Sequence, residues 1–358
     1  MRIDSLEVQN FKNFSKLEVE FIQGVNLFVG SNGSGKTSLL EAINVAVGGF
    51  FGSQERKLQR TIGFDEIRLV GGKRSPYSTI LASSRLLGYD WSRTVKRDKK
   101  YNDSKEIRPA SMYGKNFFDD FDKQNNQTVA PLIAYYSTQR LFKDRYLTKK
   151  GNYDSANGRR NGYLNCLRET GIKGILDEWF GNAVTRRATF QIKNIVQVDL
   201  VLENVENAIK QTLIALLDLP DDFSLKIYRG PDFNNELFVN YDVEHDLPLS
   251  YYSDGFRNLF YLIEDMVWRA SQLNPWLDFE QLNQKVFGVV TIDEIDLHLH
   301  PKWQEKCVSI IQKLFPHVQF FITTHSLTVV ANFENGALFV LDENQVTIHA
   351  DNNILTYR

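Results

Sequence analysis

The sequence predicts an α/β protein that has a mixed sheet at its core and a mainly helical insertion. A short apolar strand at residues 25–29 runs directly into GSNGSGKTSLL, and helical periodicity continues through residue 47. Two more apolar strands, VFGVVTID and VQFFITTHS, follow in the final third of the chain. In the middle, apolar residues recur at helical intervals over residues 164–180 and 201–217. Strands that alternate with helices in this way indicate an α/β core.

The composition is that of an ordinary globular protein. Of 358 residues, 42% are hydrophobic and 24% are charged, and this length suggests two domains or one large domain with insertions. The formal net charge of −2 demands no nucleic-acid partner, although it leaves room for a local basic patch. Cys166 and Cys307 lie far apart without metal-ligand spacing, which indicates a reducing compartment. No stretch approaches the roughly 20 apolar residues of a membrane helix, so we expect a cytoplasmic protein without a membrane partner.

The remaining elements follow in chain order. Residues 3–8 and 17–21 predict paired strands around QNFKNFSK, and a polar region follows with strand-like EIRLV and STILASSRLL before the apolar strand PLIAYYS. The middle segment closes with two strands, SLKIYR and ELFVNYDV, and LSYYSDGFRNLFYLIEDMVWRA becomes helical after Asp254. We therefore predict three regions: an N-terminal lobe (1–140), a mainly helical insertion lobe (141–245) and a C-terminal lobe (246–358).

The segment GSNGSGKT fits the P-loop pattern G-x-x-x-x-G-K-[ST] between a strand and a helix. Its glycines let backbone N–H groups turn toward phosphate oxygens, and the following helix N-terminus favours an anion. Lys36 would reach the β- and γ-phosphates of ATP, and Thr37 would give its hydroxyl to Mg²⁺. The candidate nucleotide-binding residues here are Gly30, Ser31, Asn32, Gly33, Ser34, Gly35, Lys36, Thr37 and Ser38.

Two adjacent carboxylates, Asp293 and Glu294, end the buried strand VFGVVTID. Like charges at the mouth of a sheet repel each other unless a cation lies beside them, and Mg²⁺ brought in with the nucleotide supplies that cation. Asp293 then matches the metal-supporting acid of P-loop enzymes, and Glu294 is the candidate general base for the attacking water. A strand-end acid pair that merely faces solvent is the alternative.

Together these motifs resemble the head of an ATP-binding-cassette (ABC) ATPase of the RecF/SMC-like branch. The opening IDSLEVQNFKNFSKLEVEF resembles the hairpin of that branch, SDGFRNLF its signature motif and FITTHS its switch region. The segments DEIDLHLHPKWQ and TTHS are similar to those of AAA ATPases related to the OLD family, including the ATPase subunits of Septu-type and retron-associated anti-phage systems. The resemblance implies a P-loop ABC-ATPase head with a mixed sheet core, an antiparallel β subdomain and a helical insertion lobe.

The resemblance also implies roles for residues outside the P-loop. Ser253 and Gly255 would contact the γ-phosphate of ATP bound by a second subunit, so hydrolysis of ATP to ADP and phosphate would require a homodimer or a higher oligomer. Asp254 departs from the family pattern, which often has glycine there, and a simple Ser-Asp helix cap is the alternative for this segment. His325 would bind the γ-phosphate as the switch histidine.

Several assignments stay open between alternatives. The Mg²⁺-sensing glutamine of the family is best matched by Gln139, with Gln124 and Gln127 less well placed. Lys12 is expected near the nucleotide, or else as a solvated lysine of the turn. The pair His298 and His300 has no evident third metal ligand, so we assign it, with Asp296, to a loop that faces the dimer partner.

Two basic runs are candidates for nucleic-acid contact, although most such runs are solvated surface. The first has Trp91 and Tyr101 beside it and comprises Arg93, Lys96, Arg97, Lys99 and Lys100. The second comprises Arg140, Lys143, Arg145, Lys149 and Lys150.

We expect no nuclease domain in this chain, because it ends soon after ITTHS and no nuclease constellation stands out in its middle. The leading hypothesis is therefore a dimerising ATPase that regulates a separate effector, a nuclease or a toxin, in anti-phage defence. The alternatives are a RecF-like DNA-binding ATPase in DNA repair and a scaffold that binds ATP with little turnover. A transporter cassette is disfavoured by the NFKNF opening and the polar insertions.

Overall fold

The chain folds around a mixed central sheet that is flanked by a separate antiparallel sheet and by helices. The computed structural model describes residues 1–54, 58–99, 106–123, 127–139, 155–168, 173–193, 195, 197–230, 236–241, 246–342 and 345–349. The strands are β1 (Ser5–Phe11), β2 (Phe14–Glu20), β3 (Val25–Val29), β4 (Leu69–Val70), β5 (Lys73–Arg74), β6 (Tyr77–Ser84), β7 (Tyr89–Lys96), β8 (Leu132–Tyr136), β9 (Lys226–Gly230), β10 (Glu236–Asn240), β11 (Asp246–Pro248), β12 (Phe287–Ile292), β13 (His317–Thr323), β14 (Gly336–Asp342) and β15 (Gln345–His349). The α-helices are α1 (Lys36–Val47), α2 (Arg108–Phe121), α3 (Lys173–Ile192), α4 (Leu200–Leu217), α5 (Asp254–Leu273), α6 (Phe279–Lys285), α7 (Pro301–Gln304), α8 (Cys307–Leu314) and α9 (Leu327–Ala331).

The central sheet has the order β15-β14-β3-β13-β12-β8. All neighbours in it are parallel except β15, which pairs antiparallel with β14. The predicted strands at residues 25–29, PLIAYYS, VFGVVTID and VQFFITTHS are confirmed as β3, β8, β12 and β13. Ile292 pairs with both Ile322 and Tyr136, so the carboxyl ends of β12, β13 and β8 lie side by side. The loops that leave these ends open on one edge, where ligands of α/β sheets bind.

Each central strand places alternate side chains on opposite faces of the sheet, as the pleat requires. On β12, Val290 and Ile292 join one hydrophobic cluster, whereas Val289, which precedes Val290, joins a second cluster on the other face. The first cluster includes α4, α5 and α8, and the second includes α1 and α2. Burial on both faces explains why these strands read as continuous apolar runs.

The second sheet, of order β2-β1-β6-β7, is antiparallel throughout. It confirms the predicted antiparallel β subdomain and the strand pair around QNFKNFSK. The tight turn between β1 and β2 packs against the P-loop, because a Cβ built on Gly35 would lie 2.6 Å from Phe14 Cζ. The antiparallel sheet therefore contacts the start of α1 directly.

The insertion is helical where α3 and α4 run, and it also carries a three-stranded antiparallel sheet of order β11-β10-β9. The helix expected over residues 201–217 is confirmed as α4, and the strands SLKIYR and ELFVNYDV as β9 and β10. The helix expected over residues 164–180 is wrong at its start, because α3 begins at Lys173.

Long-range hydrogen bonds explain why residues 164–168 form turns instead of helix. The Cys166 carbonyl accepts from Tyr135 N at 2.7 Å, and the Leu164 carbonyl accepts from Arg269 Nη1 at 2.8 Å. Because distant residues already donate hydrogen bonds to these carbonyls, the i to i+4 hydrogen bonds of a helix are not needed to satisfy them.

The insertion shares its core with the C-terminal region. Phe180 of α3, Leu213 of α4 and Phe260 of α5 belong to the same cluster of buried side chains as Val290 of β12. The predicted domain boundaries stay predictions, but the insertion is packed against the α5 helix. Among the described residues, no helix combines the length and apolarity that a bilayer crossing needs.

Two features were not foreseen. The apolar segment Gly336–Asp342 forms β14, which pairs with β3 and extends the central sheet beyond the P-loop strand. The strand-like EIRLV contributes only the two-residue β4, which pairs with β5 across the turn Gly71-Gly72.

Candidate nucleotide-binding and hydrolysis site

A cavity of about 510 Å³ opens at the carboxyl edge of the central sheet. This volume falls within the range of small-molecule sites. It gathers residues from the P-loop, from the ends of β12 and β13, and from the β1–β2 turn. The lining residues are Lys12, Asn13, Asn32, Gly33, Gly35, Lys36, Thr37, Ser38, Asp293, Glu294 and His325. All of these except Asn13 are residues predicted from the sequence, and their roles remain predictions.

The P-loop has the geometry of a phosphate cradle. Gly33 and Gly35 have φ values of 82° and 102°, which side-chain-bearing residues rarely adopt. The Lys36 ammonium donates to the carbonyls of Gly30 and Ser31, each at 2.9 Å. Ser34 donates its backbone N–H to Ser31 O at 3.2 Å and so closes the turn. The loop thus arranges backbone groups and one buried cation around the cavity.

Lys36 is the buried positive charge of the site. Burial lowers the pKa of Lys36, and the nearby carboxylates of Asp293, Glu294 and Asp296 act in the opposite direction. Only 5% of the lysine is exposed, so little water screens its charge. An anionic ligand such as a triphosphate would compensate this charge at short range.

Asp293 is held by hydroxyls from two other elements. Its Oδ2 accepts from Thr37 Oγ1 at 2.9 Å, and its Oδ1 accepts from Thr323 Oγ1 at 2.6 Å. Its backbone N–H donates to Tyr136 O of β8 at 2.8 Å. A carboxylate and a hydroxyl side by side are hard oxygen donors of the kind that Mg²⁺ prefers. Thr37 and Asp293 therefore fit a magnesium ion that arrives with a nucleotide.

Glu294 and His325 face each other across the cavity. Glu294 Oε1 lies 3.8 Å from His325 Nε2, and the two side chains are 35% and 33% exposed. The Glu294 backbone has a φ of 47°, and its N–H donates to Thr323 Oγ1 at 2.8 Å. This backbone turn aims the Glu294 carboxylate into the cavity, where water can reach it.

Lys12 lines the cavity and belongs to a charged network. Its ammonium pairs with Glu41 Oε2 of α1 and lies 3.6 Å from Glu66 Oε1. Burial raises the pKa of Glu41, and the hydrogen bond from Lys12 counteracts that rise. The solvated-turn alternative for Lys12 does not describe this arrangement. Glu41 was not predicted, and the available signal was an acid inside the apolar helix segment SLLEAINVAV.

Ser253 and Gly255 lie at the start of α5 and do not line the cavity. Ser253 is exposed and caps the helix by accepting from Phe256 N at 3.2 Å. Asp254 pairs with Arg257, which offsets its charge. A Cβ built on Gly255 would lie 2.3 Å from His298 O. Only glycine therefore leaves room for the loop that follows Asp293 and Glu294 to pack against the start of α5.

The three candidate glutamines are placed differently. Gln139 follows the carboxyl end of β8, the strand that pairs with β12, but its side chain is exposed and it does not line the cavity. Gln127 precedes β8 and so lies toward the opposite edge of the sheet. Gln124 lies outside the described residues. Gln139 remains the predicted Mg²⁺ sensor.

Of the two histidines, His300 has a structural role at the start of a helix. His300 precedes α7, and its Nδ1 accepts from Lys302 N at 3.3 Å. Within the described ranges, no group of three histidine, cysteine or acidic side chains is arranged to hold a metal ion. His298 and Asp296 lie in the loop that packs against the start of α5 of the same chain, and the expected contact of this loop with a dimer partner stays a prediction.

The first basic run requires a correction, because part of it lies inside the protein. Trp91 and Arg93 are on β7 with 2% and 5% exposure, and they donate to Ala46 O at 2.9 Å and Gly48 O at 3.2 Å. Lys96 and Arg97 are exposed. Lys100, Tyr101 and the second basic run lie outside the described residues. Successive side chains of β7 point to opposite faces of the sheet, so some residues of the first basic run lie in the core and others on the surface.

The fold and the cavity together define an ABC-type P-loop ATPase head. The fold is similar to a crystal structure of the SMC head bound to the C-terminal winged-helix domain of ScpA, with a TM-score of 0.53, 17% identity, and coverage of 98% of this chain and 97% of that one. The chain belongs to the AAA domain family, whose model matches residues 5–219, and a model described as AAA ATPase domain matches residues 185–330. The predicted activity, ATP hydrolysis, is confirmed by these matches.

Two relatives are similar over most of the chain. The chain is 24% identical to the retron Vc95 probable ATPase of Vibrio cholerae serotype O1 biovar El Tor, over 96% of this chain and 74% of the relative. It is 26% identical to the Septu protein PtuA of Bacillus mycoides, over 96% of this chain and 41% of the relative. The predicted resemblance to RecF/SMC-type ATPases close to retron and Septu ATPases is confirmed.

Thr323→Val removes the hydroxyl that holds both acids of the site. We expect kcat for ATP hydrolysis to fall about 10- to 100-fold, which corresponds to about 1.4 to 2.7 kcal/mol, because Asp293 and the Glu294 backbone lose a shared partner. Steady-state phosphate release measures the effect.

Thr291→Val is the matched control, since the Thr291 hydroxyl is equally buried and donates to Asn44 Oδ1 at 2.9 Å, away from the acids. Thr323→Val loses two buried hydrogen bonds and Thr291→Val loses one, so both variants should lose thermal stability and Thr323→Val should lose more. A Thr323→Val variant with the kcat of the wild type, or an equal kcat loss in Thr291→Val, would contradict the assignment.

Proposed function

We propose that this cavity binds ATP with Mg²⁺ and hydrolyses it between two copies of the chain, and that the cycle controls a separate effector in anti-phage defence. The observation that carries the proposal is the convergence of Lys36, Thr37, Asp293, Glu294 and His325 on one cavity. The two buried cysteines are free, which fits the proposed cytoplasmic location.

In this proposal the chain's own groups bind the triphosphate and activate water. Lys36 and the loop amides hold the phosphates, and Thr37 and Asp293 hold Mg²⁺, which neutralises phosphate charge when bound. Glu294 accepts a proton as the water oxygen bonds to the γ-phosphorus and the bond to the ADP oxygen breaks. His325 donates a hydrogen bond to the γ-phosphate, and Gln139 senses the metal site.

Glu294→Gln keeps the size of the side chain but removes the base. We expect kcat to fall at least about 100-fold, while binding of ATP, measured with a fluorescent ATP analogue, changes less than about threefold because Lys36 and the loop are intact. The matched control is Glu305→Gln, since Glu305 is an exposed acid that does not line the cavity. Hydrolysis by Glu294→Gln at the wild-type rate would favour an ATP-binding scaffold or another base.

Exposed apolar side chains support the proposed head-to-head dimer. Tyr251 is 68% exposed two residues before Ser253, and Leu327 is 84% exposed two residues after His325. Contiguous exposed apolar patches mark interaction sites, and in this proposal the partner covers both side chains. Ser253 and Gly255 are separate from the chain's own cavity, and this supports their contact with ATP bound by the other copy.

Mixing two inactive variants tests the shared site. Lys36→Ala removes the phosphate-binding lysine, and Ser253→Arg blocks the surface offered to the partner. We expect each variant alone to be inactive and an equal mixture to recover about a quarter of the wild-type rate, because half the dimers are mixed and each has one intact site of two. Phosphate release after mixing measures recovery. If the mixture stays inactive while pull-down through a tag on one variant recovers the other, mixed dimers form and the nucleotide is not shared between copies.

The effector is proposed to be a separate nuclease or toxin, with the similarity to retron and Septu ATPases as support. Affinity purification of the tagged chain, expressed with its neighbouring reading frames, should recover a stoichiometric second protein. The Glu294→Gln variant should retain more of it than wild type if the ATP-bound state is the docking state. Recovery of the chain alone from both strains would argue against effector control without bearing on hydrolysis.

A further inference from the structure

One end of the antiparallel sheet gathers cations from two separate chain segments. The β4–β5 hairpin ends in Gly71-Gly72, with φ values of 57° and 76°, which is the backbone of a tight two-residue hairpin turn. Lys73 and Arg74 leave this turn, and the end of β7 lies beside them, because Arg97 Nη1 donates to Arg74 O at 2.8 Å and Lys96 pairs with Tyr77. We call Lys73, Arg74, Lys96 and Arg97 the basic hairpin surface.

These cations have no acidic partners among the described residues, unlike the cations elsewhere on the same sheet. Lys16 forms an ion pair with Glu18 at 2.5 Å, and Arg85 pairs with Glu20 at 3.7 Å. In the described part of the chain, no ion pair joins any member of the basic hairpin surface to a carboxylate. Unneutralised charge is therefore concentrated at this end of a chain whose net charge is −2.

One of the four side chains, Arg74, anchors the hairpin to the protein, and the other three are exposed to solvent. Arg74 donates to the carbonyls of Asp65 and Ile67 at 2.8 and 3.0 Å, and its guanidinium stacks 5.0 Å above Phe64. Lys73, Lys96 and Arg97 are exposed, with Asp65 and Asp98 as the nearby exposed acids in the sequence. Arg74 thus holds the hairpin in place, and the other three cations are presented to solvent.

The hairpin tip adds apolar surface beside the charge. Leu69 and Val70 are 58% and 55% exposed, although side chains of this kind are usually buried. A two-stranded ribbon with apolar side chains on one strand and cations paired opposite them on the other is complementary to a nucleic acid, whose phosphates attract the cations and whose grooves admit such a ribbon.

We propose that the basic hairpin surface binds the phosphate backbone of a nucleic-acid duplex. The assignment differs from the basic run considered from sequence, because it drops the buried Arg93 and adds Lys73 and Arg74 from the hairpin. It rests on charge pairing and exposure and does not depend on ATP hydrolysis, on the dimer or on an effector.

The test compares two double variants of equal charge change by fluorescence anisotropy, without nucleotide. The probes are a labelled DNA duplex and an RNA duplex of the same sequence, and each titration is repeated over a range of salt concentrations. Lys73→Gln/Lys96→Gln removes two presented cations. Lys16→Gln/Arg85→Gln removes two exposed cations of the same sheet that already have acidic partners. Thermal melting of both variants checks that the fold is retained.

We expect the Lys73→Gln/Lys96→Gln variant to bind at least about tenfold more weakly at about 0.1 M salt, and the slope of log K against log salt to fall by about 2. The control variant should bind as wild type does. Equal losses on DNA and RNA would support contact with phosphates common to both, and a loss on only one would support that duplex as the ligand.

Three results would overturn the proposal. They are failure of the wild type to bind either duplex at low salt, an equal loss of affinity in the control variant, and stronger binding of an acidic polypeptide such as polyglutamate than of either duplex.

Discussion

The candidate site depends on one buried carboxylate, that of Asp293, and on the hydroxyls that hold it. An acid with 3% exposure is costly unless its oxygens are satisfied. Thr37 of α1 and Thr323 of β13 supply one hydrogen bond to each oxygen, at 2.9 and 2.6 Å. The carboxylate thereby ties the P-loop helix to the strand that leads to His325. A displacement of either element would expose or orphan a buried charge, so the acid couples the two halves of the site.

The parallel strand order is what makes this contact possible. β3, β13, β12 and β8 are neighbours in the sheet, and their carboxyl ends deliver the P-loop, Thr323, Asp293 and the residues before Gln139 to one edge. Residues 37 and 293 are 256 positions apart in sequence, and only the sheet register brings them within hydrogen-bond distance. The described part of the helical insertion packs on α5, in the hydrophobic cluster on one face of the central sheet.

Local motifs predicted much of the fold and most of the cavity lining. The P-loop could be predicted because its backbone geometry requires glycines at fixed spacing. The acid pair could be predicted because two carboxylates follow directly after a buried apolar strand. Thr323 and Glu41 carry no comparable local signal: their importance comes from partners on other elements. The helix predicted over residues 164–168 is wrong for the same reason, since Arg269, more than 100 residues away, donates to the Leu164 carbonyl. Sequence periodicity likewise could not show which members of the basic run face inward on β7.

The β1–β2 turn is where the basic hairpin surface and the cavity meet. Arg68, which enters β4, donates its backbone N–H to Asn10 O at 2.9 Å and its Nε to Asn13 O at 3.3 Å. Asn13 lines the cavity, and a Cβ on Gly35 would lie 2.6 Å from Asn13 Nδ2. Arg68 and Asn13 thus connect the hairpin to the P-loop by direct contacts. Gly35 leaves no space for a side chain between the turn and the loop, so the two segments are in close contact there.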